Sequence, residues 1–204
     1  MLKKVNVLIV GDSLVYGIGD TEKGGWVNRL RLKLEEIQNC YFDVYNLGIP
    51  DDSSLDILKR FEQEIISRYY QGKLIIIFMF GANDSSQTKT PYEVFEHRLK
   101  AIFEKAKNYT TDIAYLNIPR SIDIDVEGRL GIIAEVRNEE TGIYSFCSKS
   151  VCEKNGIEYI DIRSSIFLED LSIDGVHPNE EGHEKISNIV YDYIIENSNE
   201  YLNC

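Results

Sequence analysis

Short apolar runs alternate with longer amphipathic stretches along the chain. The runs 5–10 and 74–80 are apolar on both faces, which is typical of central strands in a parallel sheet that helices cover on each side. The runs 41–47, 113–118 and 157–162 are the other strand candidates. Glycines and small polar residues follow the runs that end at Val10 and Phe80, which indicates that these strands end in turns.

Helical periodicity occupies the stretches between these runs. Apolar residues recur at helical spacing in 26–37, with charged residues on the opposite face. A serine at 53 or 54 can cap a helix over 55–69, and further helices are predicted up to Asn155 and over 180–195. Proline is tolerated in a first helical turn, so another helix is expected to begin at Pro91. The residues expected on its buried side are Val94, Phe95, Leu99, Ile102 and Phe103.

Strands that alternate with helices predict an α/β fold. We expect a three-layer α/β/α sandwich around a five-stranded, mainly parallel sheet, because right-handed crossovers place helices on both faces. A chain of 204 residues can bury a full core without disulfides or metals, and residues 1–204 are predicted to form a single domain. The role of the weakly periodic segment 119–138 is left open, although loops of that length are often lids or binding loops.

The carboxyl ends of the predicted strands are where chemistry is expected. Ligands bind beyond these ends in open α/β sheets. The turns that start at Gly11, Gly48 and Gly81 each follow a predicted strand, so three distant stretches of sequence should meet at one edge.

Charge and hydropathy narrow the choice of partners. The chain has 22 Lys and Arg against 34 Asp and Glu, and its net charge of -12 would repel nucleic acid and anionic lipid surfaces. Nucleic acid is therefore not an expected partner, and the acidity is attributed to a solvated surface. The apolar run 74–80 is far shorter than the roughly 20 residues of a spanning helix, so no stable membrane insertion is expected. Homo-oligomers are compatible with the sequence.

The four cysteines are scattered and show no paired spacing for a metal. Reduced thiols are the simpler interpretation. The first ten residues imitate a signal peptide, but the apolar run is short, is interrupted by Asn6 and lacks a cleavage site after it. A cytoplasmic location is predicted on these grounds.

Three residues are candidates for nucleophilic catalysis. Ser13 lies directly after the first predicted strand, where its side chain can project into a cleft. A serine hydroxyl needs a base to become a nucleophile, and His177 in a loop before the last helix can serve as that base. Asp174 is near enough in sequence to orient the imidazole. A histidine near an aspartate is by itself common in surface loops, so the argument depends on the combination.

Candidate oxyanion donors also follow strands. Asn83 could aim its amide at a developing oxyanion, and the backbone N–H groups of Gly48 and Ser13 could add two further donors. Taken alone, Gly48 would be a turn glycine and Asn83 a capping or turn residue. His183 could pair with His177 at a metal, but no third ligand has a suitable spacing.

Four short motifs in this order resemble the SGNH hydrolase family, also called GDSL esterases and lipases. They are Gly11-Asp12-Ser13-Leu14, Gly48, Gly81-Ala82-Asn83-Asp84 and Asp174-Gly175-Val176-His177. The resemblance implies a flavodoxin-like fold, hydrolysis of esters or thioesters through an acyl-serine, and no metal or organic cofactor. It further implies that Ser13 is the nucleophile and a first oxyanion donor, that Gly48 and Asn83 complete the oxyanion hole, and that His177 and Asp174 complete the triad.

The substrate within this chemistry is left open. Small-acyl esters, lysophospholipids, thioesters and sugar acetates are all compatible with the motifs. The candidates for the cleft walls are Leu14, Val15, Tyr16, Ile49, Ser85 and the segment 122–136. Two other functions are weighed against hydrolysis, namely a non-catalytic small-molecule binding module and a flavodoxin-like nucleotide binder.

Overall fold

The computed structural model describes residues 3–121 and 138–202. The proposed cleft segment 122–136 lies outside the described residues. The strands are β1 Lys3–Gly11, β2 Cys40–Gly48, β3 Lys73–Met79, β4 Ile113–Leu116 and β5 Glu158–Ile160. The helices among the described residues are α1 Ser13–Tyr16, α2 Trp26–Glu35, α3 Ser54–Arg68, α4 Ala82–Ser85, α5 Tyr92–Ala106, α6 Asn138–Asn155, α7 Glu180–Asn197 and α8 Asn199–Leu202, with a short 3-10 helix at Leu168–Asp170.

All five strands pair in parallel in the order β2-β1-β3-β4-β5, which confirms the predicted fold and makes the sheet fully rather than mainly parallel. This is the strand order of flavodoxin-like folds. The chain moves from β1 to β2 on one side and then returns to place β3 on the other side of β1. A crevice therefore opens beyond the carboxyl ends of β1 and β3, where ligands bind in such sheets.

The helices form the two outer layers. α2 packs against α7, whereas α3 packs against α5 and α5 against α6. α2 follows β1 and α3 follows β2, and right-handed connections running in opposite directions along the sheet place these helices on opposite faces. None of the helices in the described ranges is both long enough and apolar enough to cross a membrane.

β4 and β5 are shorter than the apolar runs suggest. The side-chain oxygen of Asn117 accepts the N–H groups of Ile162 and Arg163 at 2.8 and 3.1 Å. Beyond Ile160 the Asn117 side chain, instead of the β4 backbone, accepts the N–H groups of the neighbouring segment. The β4–β5 ladder therefore ends at Ile160, although Ile162 is still buried.

The predicted buried side of α5 is wrong at one position. Val94 is 39% exposed, whereas Phe95, Leu99, Ile102 and Phe103 are fully buried and Ala106 continues the same side. Successive residues on a helix are about 100° apart, so Val94 turns away from the sheet when Phe95 points into it.

An aromatic cluster fills the core between β3 and the helices α3 and α5. The ring of Phe78 is fully buried and lies 5.7 Å from Phe61, 6.2 Å from Phe80 and 6.0 Å from Phe103, measured between ring centroids. The pairs with Phe61 and Phe80 pack edge to face, which adds to the stabilisation from burial.

We expect Phe78→Ala to lower the free energy of unfolding by about 3–5 kcal/mol, because it removes buried apolar surface and leaves a cavity that its neighbours cannot fill. Urea denaturation followed by circular dichroism measures the change. Phe146→Ala is the matched control, since Phe146 lies on α6 with 73% of its surface exposed, and it should change stability by less than about 0.5 kcal/mol. Equal losses in the two variants would contradict this account of the core.

Candidate active site

Ser13 begins α1 immediately after β1 and is partly exposed. The turn is tight, since a Cβ on Gly11 would lie 2.0 Å from the carbonyl oxygen of Met79 in the neighbouring strand. Asp12 caps α1, and its Oδ1 accepts the N–H of Leu14 at 3.0 Å. The strand end and its cap therefore hold Ser13 at the crevice between β1 and β3.

The structure brings Ser13, His177 and Asp174 together. Ser13 Oγ lies 2.9 Å from His177 Nε2, although the two residues are 164 positions apart in sequence. His177 Nδ1 lies 2.7 Å from Asp174 Oδ2, and the histidine is only 8% exposed. The three side chains thus form one continuous line of hydrogen bonds from a hydroxyl to a carboxylate.

Asp174 is held as a carboxylate. Its Oδ1 accepts the backbone N–H groups of Val176 and His177, both at 2.9 Å, and the hydroxyl of Ser172 at 2.8 Å. Burial alone would raise its pKa, but the hydrogen bonds from the His177 ring and from the two backbone groups outweigh burial and hold the pKa well below its usual range. A carboxylate at Nδ1 keeps the ring proton there, so Nε2 is left free to accept a proton from Ser13.

Asn83 lies in α4, directly after β3, and is 7% exposed. Its Nδ2 donates to the carbonyl oxygen of Asp52 at 3.0 Å. A primary amide has two N–H groups, so one remains for a ligand after this bond is made. The bond to Asp52 also fixes the orientation of the amide.

Gly48 ends β2, but its N–H is already in use. It donates to the side-chain oxygen of Asn46 at 3.0 Å. The glycine itself has a packing role, because a Cβ there would lie 2.2 Å from the backbone nitrogen of Tyr16 in α1. The predicted contribution of Gly48 to an oxyanion hole therefore requires Asn46 to release this N–H.

Sequence reasoning missed Asp51 in the turn that follows. Asp52 N–H bonds to Ile49 O at 3.3 Å, and Asp51 between them has a φ of 68°, as in a type II turn with Pro50 at its second position. A left-handed aspartate costs of order 1 kcal/mol, and such strain is often found at functional sites. Among the residues that the structure describes, the N–H of Asp51 donates no hydrogen bond. Pro50 in the sequence indicates the turn. The identity of residue 51 as aspartate does not indicate that its backbone adopts the left-handed conformation that glycine favours.

The proposed cleft walls divide into two groups. Leu14 and Val15 are buried in the core, and the hydroxyl of Ser85 donates to Ala82 O, so these three face inward. Tyr16 and Ile49 are 55% and 43% exposed, and they follow Ser13 and Gly48 closely. Of the five residues, these two are available to a substrate.

His183 is a buried structural histidine. Its Nδ1 accepts the N–H of Trp26 at 3.1 Å, and its Nε2 donates to Ile18 O at 3.0 Å. Burial lowers its pKa, which favours the neutral ring that this pair of bonds requires. Both nitrogens are occupied, so His183 is not placed to join His177 at a metal. Within residues 3–121 and 138–202, no three His, Cys, Asp or Glu side chains are grouped to hold one.

Asp12 has an unusual environment beside the site. The side chain is fully buried, and its Oδ2 has no hydrogen-bond partner. Burial raises the pKa of Asp12 to about 7, against the opposing effects of the Leu14 N–H and of the charge on His177. A neutral carboxylic acid therefore adjoins Ser13 over much of the acidic range.

Both the sequence and the fold of the chain are similar to those of known proteins. The family model described as GDSL-like Lipase/Acylhydrolase matches residues 9–185. A search of curated proteins gives no match. The lipase/acylhydrolase of Enterococcus faecalis has a similar structure, with a TM-score of 0.76, 18% identity and coverage of 96% of this chain and 97% of that one.

Two further solved structures are similar. The aryl esterase of M. smegmatis has a TM-score of 0.76 at 14% identity, with 94% of this chain and 98% of that one covered. A catalytic mutant of an acetylxylan esterase from Geobacillus stearothermophilus has a TM-score of 0.73 at 18% identity, with 95% of each chain covered. At such identities the likeness establishes a shared fold.

The raised pKa of Asp12 predicts a pH-dependent stability. An acid whose pKa is higher in the folded than in the unfolded state loses stability as pH rises from its ordinary value of 3.8 towards about 7. Asp12→Asn cannot ionise, so its melting temperature relative to wild type should increase between pH 5 and pH 8. Thermal unfolding across this range tests the effect, with exposed Asp192→Asn as control. Parallel curves for wild type and Asp12→Asn would contradict it.

Proposed function

The chain belongs to the GDSL-like lipase/acylhydrolase family and is an ester-hydrolysing enzyme, and from this premise we propose that Ser13, His177 and Asp174 are its catalytic triad. The observation that carries the proposal is the unbroken line of hydrogen bonds from Ser13 Oγ through the imidazole to the Asp174 carboxylate. A non-catalytic binding module would have no need of this arrangement.

In the proposed reaction, Ser13 Oγ attacks the carbonyl carbon of the ester while His177 Nε2 takes the hydroxyl proton. Asp174 stabilises the imidazolium that forms. The tetrahedral intermediate collapses, the ester oxygen of the alcohol leaves with the proton from His177, and an acyl-serine remains. Water then repeats the sequence, giving a proton to His177 and its oxygen to the acyl carbon, and Ser13 leaves with that proton.

We assign the negative oxygen of the tetrahedral intermediate to the N–H of Ser13 and the second amide N–H of Asn83. Gly48 stays in the proposal as a third donor, conditional on release of its N–H by Asn46. The unused N–H of Asp51 is a further candidate donor to this oxygen. It lies next to Asp52, whose carbonyl oxygen already binds the Asn83 amide. Each such donor is worth about 10²–10³ in turnover.

The acyl donor is proposed to be a small-molecule ester, and the choice among small-acyl esters, lysophospholipids, thioesters and sugar acetates belongs to experiment. Exposed Tyr16 and Ile49 offer apolar surface beside Ser13 for an acyl or alcohol group. We further propose that residues 1–204 act as one hydrolase domain. Among the described residues, one cluster of buried side chains extends from β1 to α7 and supports this.

A cytoplasmic location also remains part of the proposal. The free thiols of Cys40, Cys147 and Cys152 support it, because disulfides are common in oxidising compartments.

The first test is hydrolysis of p-nitrophenyl esters from acetyl to longer chains. Ser13→Ala should lose turnover by at least about 10³-fold and lose labelling by a fluorophosphonate, because it removes the hydroxyl that contacts His177 Nε2. Ser164→Ala, at an exposed serine, is the control and should match wild type. Wild-type protein that neither turns over nor labels would reject the catalytic proposal, and the chain-length profile of an active enzyme narrows the acyl donor.

Asp174→Asn tests the role of the carboxylate. An amide at Nδ1 favours the wrong tautomer of His177, so kcat should fall by about 10⁴-fold while the fold is kept. Steady-state kinetics and circular dichroism measure the two properties. A loss of less than about tenfold would show that Asp174 does not orient the base.

A further inference from the structure

Arg60 on α3 reaches the strand ends that carry the candidate oxyanion donors. Its Nη2 donates to Leu47 O at 2.8 Å and to Gly11 O at 3.1 Å. Its Nε donates to the Asp52 carboxylate at 2.6 Å. One guanidinium therefore contacts the end of β1, the end of β2 and the loop that leads into α3.

Helix geometry accounts for this reach. α3 leaves the carboxyl edge of the sheet and Arg60 lies near its second turn, but side chains on a helix tilt towards its N-terminus. The long side chain of Arg60 is thereby directed back to the edge. It is only 17% exposed there, and its Nη1 lies 3.5 Å from Glu64 in the next turn.

Each carbonyl group that Arg60 contacts lies within two residues of a candidate oxyanion donor. Leu47 O belongs to the same peptide group as the N–H of Gly48. Gly11 O lies two residues before Ser13 and also accepts the N–H of Ile49 at 3.0 Å. The backbone oxygen of Asp52 accepts Asn83 Nδ2, while its carboxylate accepts Arg60.

We infer that Arg60 is a positioning residue that sets the spacing of the oxyanion donors on the Ser13, Gly48 and Asn83 loops. The inference rests on the proposed function, since it needs an oxyanion to be stabilised. The planar fork of a guanidinium bonds three acceptors in fixed directions, and a lysine ammonium at the same place cannot reproduce them. Arg60 itself touches no reacting atom.

A role limited to stability would leave catalysis unchanged in folded protein. A positioning role acts on the transition state, where displacement of a donor by about 1 Å can cost roughly 10²-fold in rate. The two roles therefore separate in kcat, in KM and in the affinity for a charged tetrahedral adduct. Phenylboronic acid supplies such an adduct, because it bonds to a serine hydroxyl and becomes tetrahedral and negatively charged.

The experiment compares Arg60→Lys with Arg68→Lys and wild type. Both arginines lie on α3 and pair with Glu64, but within the described part of the chain Arg68 hydrogen-bonds to Glu64 and lies over the Tyr45 ring rather than at the strand ends. In Arg60→Lys, kcat should fall about tenfold to a hundredfold with KM within about threefold, and Ki for phenylboronic acid should rise by a similar factor. Arg68→Lys should match wild type in all three.

Asp52→Asn provides a second variant should Arg60→Lys fail to fold. It keeps both carbonyl contacts of Arg60 and weakens the ion pair, so a smaller loss of kcat with unchanged KM is expected. The inference is overturned if a folded Arg60→Lys or Asp52→Asn differs from wild type only in melting temperature, or if Arg60→Lys and Arg68→Lys lose activity equally. If either result is found while the wild type is still labelled and inactivated at Ser13, the inference on Arg60 fails and the proposed function is unaffected. Absence of wild-type turnover rejects both.

Discussion

The hydrogen bond between Ser13 and His177 depends on the parallel sheet. The two residues are 164 positions apart in sequence, so local structure at either residue cannot bring them together. Parallel pairing delivers β1 and β3 to the same edge, and the return of the chain across β1 opens the crevice there. α7 packs against α2, so the loop that precedes α7 is carried to that edge as well. The contact between Ser13 and His177 is thus a product of topology before it is a product of side-chain chemistry.

Buried polar groups hold this edge together. Asp84, fully buried, accepts the N–H and the hydroxyl of Ser54 at 2.7 and 2.6 Å, which ties the start of α3 to α4. Arg60 ties the same helix to the ends of β1 and β2. Buried polar atoms are costly without partners, so these bonds define a single arrangement of the loops. An apolar lining could pack equally well in several arrangements and would not place N–H groups with the same accuracy.

The sequence was sufficient for the order of strands and long helices, namely α2, α3, α5 and α7, and for the three residues of the hydrogen-bonded line, but not for the short helices α1, α4 and α8. Apolar runs of strand length and the position of Ser13 directly after β1 depend on local rules, and the parallel sheet then brings the strand ends together. Val94 was assigned to the wrong side of α5 because a shift of one position along a helix turns the side chain by about 100°. The engagement of the Gly48 N–H by Asn46, the left-handed Asp51 and the reach of Arg60 were not predictable. Each depends on a side-chain or backbone conformation that is set by contacts between distant segments. The hydrophobic periodicity of the sequence carries no information on such conformations.

The wide separation of Ser13 and His177 has a consequence for how the protein is made. Translation produces Ser13 well before His177, which follows it by 164 residues. The helix α7, which packs against α2, comes later still. A nascent chain on the ribosome therefore carries Ser13 without its hydrogen-bond partner, and the proposed triad is complete only when α7 has packed against α2.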